Sequence, residues 1–203
     1  MLKQGLITTI LVGLSSIALA NPLDGLTVKV GVSVLNPTGE SDLAGGAVKD
    51  ARATNEVNFT PSLDYRIANT PFSVELLLAA PFDQQVKVGG LGEIAELKHL
   101  PPTITAKYHL PTFSGFTPYA GVGVTVFVPW NEDSPLGKLE ADLAAGAAAQ
   151  VGFNFQPADA KSWGVYGDVR YADLKTDLKL GGADIGSLDI NPLVVTLGYS
   201  FKF

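Results

Sequence analysis

Residues 193–203 read LVVTLGYSFKF, and this stretch decides the fold class of the chain. Every odd position from Leu193 to Phe203 is apolar or aromatic, whereas Thr196, Gly198, Ser200 and Lys202 lie between them. Successive side chains of a β-strand point to opposite faces, so a period of two predicts a strand with one apolar and one polar or small face. Residues 26–34, LTVKVGVSV, alternate in the same way and predict a second strand.

Six further segments between these two stretches are predicted as strands, which makes eight strands in total. One of them, 141–155, is so rich in alanine that a helix is an alternative. Gly146 and Gly152 interrupt this segment and Phe153-Asn154-Phe155 alternates, and both features favour a strand. The six segments are 57–67, 72–80, 102–110, 117–128, 141–155 and 163–173.

The connections between the predicted strands alternate between long and short. The stretches 36–54, 81–101, 129–140 and 174–189 hold 19, 21, 12 and 16 residues, whereas 68–71, 111–116 and 156–162 hold 4, 6 and 7. Long connections at one end and short ones at the other are typical of outer-membrane barrels. The sequence therefore predicts an all-β fold, an eight-stranded antiparallel transmembrane β-barrel with long extracellular loops and short periplasmic turns.

Aromatic residues cluster at the predicted periplasmic ends of the strands. Amphipathic rings prefer the level of the lipid headgroups, so these residues are predicted to form a girdle. A soluble barrel capped by core aromatics is the alternative, but it would bury its apolar face and expose a polar one. The predicted girdle residues are Tyr65, Phe72, Tyr108, Tyr119, Phe153, Phe155, Trp163, Tyr199, Phe201 and Phe203.

The first twenty residues have the pattern of a secretory signal peptide. Lys3 precedes an apolar stretch over 6–14, and Ala18-Leu19-Ala20 matches a cleavage site. The apolar stretch is too short for a membrane anchor, which is the alternative. We expect residues 1–20 to be removed and residues 21–203 to form one barrel domain in the outer membrane of a Gram-negative bacterium.

Composition excludes several classes of function. The net charge of -6 and the pI of about 4.8 argue against a nucleic-acid-binding protein, and the chain has no cysteine for a thiolate nucleophile or a Cys-based zinc site. The mean hydropathy of +0.24 is high for a soluble domain, yet no run of apolar residues is long enough for a transmembrane helix. No cofactor and no metal site is predicted.

The last eight residues also match a signal for barrel assembly. A polar residue and a glycine precede alternating apolar residues that end in a phenylalanine. An unpaired edge strand of this kind can be templated by assembly machinery before the barrel closes. The outer-membrane barrel assembly machinery is therefore a predicted partner, and the residues that carry the signal are Thr196, Gly198, Tyr199, Phe201 and Phe203.

Several motifs across residues 28–201 resemble the OmpW family of outer-membrane β-barrels. They include the stretch from His99 to Thr103, Pro118-Tyr-Ala-Gly and Gly198-Tyr-Ser-Phe201. The resemblance implies an eight-stranded barrel with a narrow, largely hydrophobic channel that takes up small apolar molecules, which leave sideways through the wall. Residues 143–149 depart from the family because bulkier or aromatic side chains are expected there.

If the apolar faces contact lipid, the opposite faces line the lumen. Charged Glu75, Lys107, Asp168 and Arg170 would then pair across the periplasmic half and block free flow of water. Small residues above this seal would suit an apolar guest that enters from outside. The residues predicted to face the lumen are Lys29, Ser33, Glu75, Leu77, Thr103, Thr105, Lys107, His109, Asn154, Tyr166, Asp168 and Arg170, with Gly121, Gly123, Gly146 and Ala148 as small members.

The prolines leave two interpretations open, whereas the histidines are given one. Pro61, Pro81 and Pro101-Pro102 cannot donate to a ladder, so they either open a gap in the wall or simply end strands. His99 and His109 are interpreted as structural, because no serine at an arguable spacing accompanies them.

Three functions are weighed on these grounds. The first is passage of small hydrophobic molecules through an outer-membrane barrel that contacts lipid. The second is a plugged structural or adhesive barrel that binds partners through its loops. The third, a lipid-modifying enzyme, needs an outward-facing histidine beside a serine nucleophile, and no such pair is visible in the sequence, so no catalytic residue is predicted.

Overall fold

The computed structural model describes residues 23–78, 80, 82–88, 92–134 and 137–203. The predicted signal peptide and Pro81 lie outside the described residues. Apart from one short 3-10 helix, η1 (Ala44–Gly46), the regular structure here is β-strand. The strands are β1 (Leu26–Pro37), β2 (Ser41–Leu43), β3 (Val48–Ala53), β4 (Glu56–Phe59), β5 (Ser62–Arg66), β6 (Phe72–Leu77), β7 (Phe82–Val88), β8 (Gly92–Leu100), β9 (Thr103–His109), β10 (Phe116–Asp133), β11 (Leu139–Ala141), β12 (Ala144–Phe155), β13 (Trp163–Ala172), β14 (Lys175–Leu180), β15 (Ala183–Asp189) and β16 (Pro192–Lys202).

Antiparallel pairing closes these strands into a barrel. Around the wall the order is β1, β5, β6, β9, β10, β12, β13 and β16, and β16 pairs with β1 from Thr27↔Lys202 to Pro37↔Pro192. β4 pairs with β1 above β5, so β4 and β5 together form one of the eight barrel strands. The predicted strand 57–67 is therefore interrupted, because Pro61 cannot donate a backbone hydrogen bond.

The two ends of the barrel differ as predicted. Short turns over 67–71, 110–115 and 156–162 join strands at what we call the inner end. The long connections lie at the opposite, outer end. The long connections are predicted to be loops, whereas in the structure they contain β2, β3, β7, β8, β11, β14 and β15. β8, β7, β3 and β2 form a sheet on the edge of β10, which continues past the barrel to Asp133, whereas β11, β14 and β15 form a separate sheet.

The apolar faces of the barrel strands point outward. Val122, Leu197 and Val57 are 68%, 67% and 65% exposed, whereas Lys29 and Lys107 on the inner faces are 0% exposed. A continuous apolar exterior around a charged interior suits a lipid environment, because lipid-facing and lumen-facing residues alternate along each strand. No helix among the residues described is long and apolar enough to cross a membrane.

One predicted girdle residue lies on the wrong face. Tyr119 is only 2% exposed, shares the inner face of β10 with Gly121 and Gly123, and packs against the His109 ring at 5.5 Å between centroids. The prediction is wrong because the clustering of aromatics by position ignores which face each one occupies. The other predicted girdle residues are partly or fully exposed near the inner end.

The outer connections pack around what we call the apolar cluster. Phe127 of β10 contributes to it from the barrel, and the rest comes from the outer hairpins and their flanks. Burial of several leucine side chains favours a fixed arrangement of these connections, since apolar area removed from water stabilises the fold. The cluster consists of Leu43, Ala51, Phe127, Leu139, Ala141, Leu174, Leu178, Leu188 and Ile190.

Candidate functional site

Six charged side chains meet inside the barrel, towards its inner end, in what we call the charge layer. Each is at most 6% exposed. Lys107 contacts both Asp64 and Glu75, and its distance from Nζ to Glu75 Oε2 is 2.5 Å. Three cations face three anions, so the layer is balanced. Its members are Lys29, Asp64, Glu75, Lys107, Asp168 and Arg170.

The remaining contacts join the layer across the lumen. Lys29 Nζ lies 3.2 Å from Asp64 Oδ2 and 3.6 Å from Glu75 Oε2. Arg170 Nη2 lies 3.6 Å from Glu75 Oε1 and donates a 2.5 Å hydrogen bond to Gln150 Oε1. Because β1, β5, β6, β9 and β13 all contribute, these contacts bridge the interior. Mutual pairing offsets the large cost of removing each charge from water.

Two tyrosine rings complete the charge layer. Lys29 Nζ lies 5.1 Å from the Tyr119 centroid and 4.9 Å from the Tyr166 centroid, and the Tyr119 hydroxyl donates to Asp168 at 3.2 Å. Gly31 and Gly198 lie opposite each other under Tyr166, where a Cβ on either glycine would clash with the tyrosine side chain. Gly198, singled out as an assembly residue, therefore also makes room for this ring.

The structure brings together the four charged residues that the sequence predicts to pair. Glu75, Lys107, Asp168 and Arg170 are in one network, and Lys29 joins it. Asp64, Gln150 and Tyr119 are the members that the sequence analysis missed. Asp64 was detectable because it alternates with the outward Leu63 and Tyr65, whereas Gln150 lies in the alanine-rich segment that gives a weak signal.

Hydroxyl groups occupy the next level towards the outer end, in what we call the hydroxyl layer. Ser33 Oγ lies 2.6 Å from Thr60 Oγ1 and 2.7 Å from Thr196 Oγ1. On the opposite wall Thr103 Oγ1 lies 2.8 Å from Thr125 Oγ1. Buried hydroxyls need such partners, because an unpaired one costs free energy. Interior polarity therefore falls from charges, through hydroxyls, to the apolar cluster.

The other residues predicted to face the lumen are distributed over these levels. Thr105 is 1% exposed, Leu77 8% and Ala148 5%. Gly121 and Gly123 lie on the inner face of β10, and Gly123 is opposite Ala148 while Thr125 is opposite Gly146. Asn154 and His109 line a cavity of about 280 Å³ at the inner end, with Asp64, Arg66 and Lys202 among its other lining residues. That any of these residues lines a transport path stays a prediction.

Among the described residues, the assigned pairs between neighbouring wall strands stop for a short stretch beside the hydroxyl layer. The β6–β9 ladder stops at Leu77↔Thr103, and pairing resumes on the β7–β8 hairpin at Phe82↔His99. Leu78 and Ala80 donate to Pro61 O and Phe59 O, at 2.8 Å and 3.0 Å, which continues the ladder with the neighbouring strand on the other side of β6. Beyond Thr103, the next residue that faces β6 is Pro101, which has no backbone N–H to donate, so it cannot extend the ladder as a donor. We call this stretch the wall interruption.

Both histidines are buried inside the molecule. His99 packs on Phe127, with 4.9 Å between ring centroids, at the base of the apolar cluster. His109 Nε2 lies 2.8 Å from Ser73 Oγ, a serine 36 residues away that the sequence analysis did not pair with it. Ser73 and His109 are 2% and 5% exposed and lie on inner faces. The pair is therefore turned away from lipid, where an enzyme acting on lipid would need it.

Comparison with known proteins places this architecture among relatives. A sequence profile of the OmpW family matches residues 25–203. Outer membrane protein W of Vibrio cholerae is 31% identical over 192 residues, covering 87% of each chain. Outer membrane protein AlkL of Ectopseudomonas oleovorans is 27% identical over 174 residues, covering 81% of this chain and 75% of that protein. The crystal structure of OprG from Pseudomonas aeruginosa matches with a TM-score of 0.76 and 27% identity, covering 89% of this chain and 96% of that one.

Proposed function

Because this chain belongs to the OmpW family of outer-membrane β-barrels, we propose that it passes small hydrophobic molecules from outside the cell through the upper part of its lumen and out through its wall. The chain lies in the outer membrane of a Gram-negative bacterium, with its apolar exterior in lipid. The kinship with AlkL and OprG supports a channel of this kind.

The position of the wall interruption is the observation that carries the proposal. It lies beside the hydroxyl layer, above the charge layer and below the apolar cluster. A molecule without hydrogen-bonding groups gains nothing by entering the charge layer, since it would separate ion pairs that are costly to leave unpaired. The interruption in turn offers such a molecule a route into the bilayer, where its apolar surface is favoured.

The charge layer argues against a general diffusion pore. An eight-stranded barrel has an interior just wide enough for side chains to fill. Here Lys107, Glu75 and Arg170 cross that interior together with two tyrosine rings. We infer that ions and sugars do not follow the axis of the barrel.

A plugged structural or adhesive barrel is the second candidate. It is favoured by the same packing, because the apolar cluster closes the outer end while the charge layer closes the inner half. The two functions predict different results for the uptake of apolar molecules: a channel speeds it, whereas a plugged barrel leaves it unchanged. We propose no catalytic role, because Ser73 and His109 face the interior.

Uptake of radiolabelled dodecane by whole cells tests the proposal. Cells that produce the protein are compared with cells that lack it, and sucrose serves as a hydrophilic control. We expect faster dodecane uptake and unchanged sucrose permeation. Equal dodecane uptake by the two strains would refute transport and favour the structural barrel.

A further inference from the structure

Two outer sheets meet beside the apolar cluster without pairing. β2 is the edge strand of the sheet that runs from β10 through β8, β7 and β3, whereas β15 is the edge strand of a separate sheet with β14 and β11. β2 continues the direction of β1, and β15 precedes β16, so their boundary lies above the first and last barrel strands. We call this boundary the outer seam.

The backbone ladder between β1 and β16 ends at two prolines. Pro37 lies opposite Pro192, and neither residue has a backbone N–H to donate. Just above them the Thr38 and Gly39 amides still donate to Ile190 O, at 3.2 Å and 3.3 Å. Beyond that point β2 and β15 are joined by contacts that involve side chains.

Side chains hold the outer seam together. Asp189 donates its backbone N–H to Ser41 Oγ at 2.8 Å, and Ser41 Oγ donates to Asp189 Oδ2 at 3.3 Å. Lys175 of β14, in the same sheet as Asp189, holds the other carboxylate oxygen, with 3.4 Å between its Nζ and Asp189 Oδ1, and adds no contact across the seam. The two hydrogen bonds between Ser41 and Asp189 are weaker than a continuous ladder, because each hydrogen bond contributes little net free energy.

Apolar side chains lie directly behind the seam, and water lies in front of it. Leu43 of β2 and Leu188 of β15 are 2% and 1% exposed and belong to the apolar cluster. On the solvent side, Ser41 and Asp189 are among the residues that line an open polar cleft of about 490 Å³. Parting β2 from β15 would therefore connect the exterior with the apolar cluster over a short distance.

We propose that the outer seam is the entrance through which apolar molecules reach the lumen, opening when the Ser41–Asp189 contacts break. This inference rests on the proposed function and adds the place of entrance to it. A molecule that enters here meets Leu43 and Leu188 first, then Phe127, and then the hydroxyl layer at the wall interruption. The seam closes again through the same side-chain contacts.

Gly39 offers a way to open the seam by design. A Cβ at this position would clash with the backbone oxygen of Asp189, so any larger residue pushes the two edges apart. Gly39→Asn is therefore expected to wedge the seam. Gly182→Asn is the matched control, because a Cβ at Gly182 meets no atom within 4 Å and asparagine tolerates its positive φ of +85°.

A disulfide across the seam gives the opposite perturbation. Ser41→Cys with Asp189→Cys places a thiol at each of two positions whose side-chain oxygens now lie 3.3 Å apart, in a chain that has no other cysteine. Dodecane uptake is measured in cells for the oxidised and reduced forms of this variant and for both glycine variants. Heat-modifiable migration in gels confirms that each variant is folded.

We expect Gly39→Asn to raise dodecane uptake about fivefold, the effect of losing a hydrogen bond from the closed state. Gly182→Asn should leave it unchanged, and oxidation of the double-cysteine variant should reduce uptake to that of cells lacking the protein. If oxidation of the double-cysteine variant leaves uptake unchanged, or if Gly39→Asn gives the same uptake as Gly182→Asn, the outer seam is not the entrance. Either result would leave the proposed function intact. If the wild-type protein itself gives no uptake, the proposed function fails and the entrance fails with it.

Discussion

Lys107 donates a hydrogen bond of 2.5 Å to Glu75 on the neighbouring strand, and both side chains are at most 1% exposed. Their Cα atoms are not direct partners, since Ser73 lies opposite Lys107 and Thr105 lies opposite Glu75. The contact is therefore diagonal across β6 and β9. It leaves the Lys107 ammonium within reach of Asp64 as well, and so connects three strands.

Removal of the central cation should destabilise the barrel strongly. Lys107→Met keeps most of the side-chain volume but leaves three buried anions facing two cations, with Lys29 alone still shared by Glu75 and Asp64, which should cost about 3–5 kcal/mol of unfolding free energy. Urea unfolding of the refolded barrel measures this. Lys138→Met is the control, because Lys138 pairs with Glu140 at an exposed site and should give no measurable change. Equal effects of the two variants would show that the charge layer does not stabilise the fold.

The charge layer should also block ions. In planar bilayers the wild-type protein should show no conductance steps of porin size, whereas replacing Lys29, Glu75 and Lys107 together by alanine should open an aqueous path. Thr112→Ala, at an exposed inner turn, serves as the control. Porin-like steps from the wild-type protein would contradict a sealed lower lumen.

Lipid contact predicts a dependence on depth for lysine substitutions. Leu197→Lys, in the middle of β16 and 67% exposed, should destabilise the barrel in vesicles by about 2–4 kcal/mol. Phe113→Lys lies in an inner turn, and its effect should be about 0–1 kcal/mol because the interface is near. Denaturant titration in vesicles measures both. Equal tolerance at the two positions would mean that Leu197 does not face hydrocarbon.

Assembly in cells should depend on the last residue of the final strand. Deletion of Phe203 should reduce the folded fraction in the outer membrane, as judged by heat-modifiable migration, because the aromatic end of the strand is the predicted signal. The purified variant should still refold in detergent. Phe113→Ala is the control outside the signal. Normal assembly of the deletion variant would remove Phe203 from the predicted assembly signal.

The barrel was predictable because its signal is repeated. Alternation in the first strand, from Leu26, and in the last, up to Phe203, assigns the outward faces of these strands, and the lengths of the connections indicate the two ends of the barrel. The inward face of the charged residues follows directly, since Glu75 and Lys107 are polar positions within apolar strands. The fold and the four-residue pairing thus depend on local patterns that any strand displays.

The features that were not predicted from the sequence depend on contacts between residues that are distant along the chain. Nothing near Ser41 indicates Asp189, which is 148 residues away, and Ser73 gives no sign of His109. In the sequence, Tyr119 cannot be told apart from the residues predicted to form the girdle, because the pattern does not show that its side chain points into the barrel. β8, β7, β3 and β2 likewise depend on the edge that β10 extends beyond the barrel, whereas, among the described residues, β11, β14 and β15 pair only with one another. Such features need three-dimensional proximity, which period-two patterns do not encode.

The most direct test of the account closes the wall interruption with a reversible cross-link. Leu78→Cys and Pro102→Cys lie next to the last ladder pair, Leu77↔Thr103, and Ala106→Cys with Val122→Cys gives a control within an intact ladder. Dodecane uptake by cells is compared before and after reduction. The account predicts that the first cross-link reduces uptake to the level of cells lacking the protein, that reduction restores it, and that the control has no effect. Unchanged uptake with the interruption locked would contradict release through the wall.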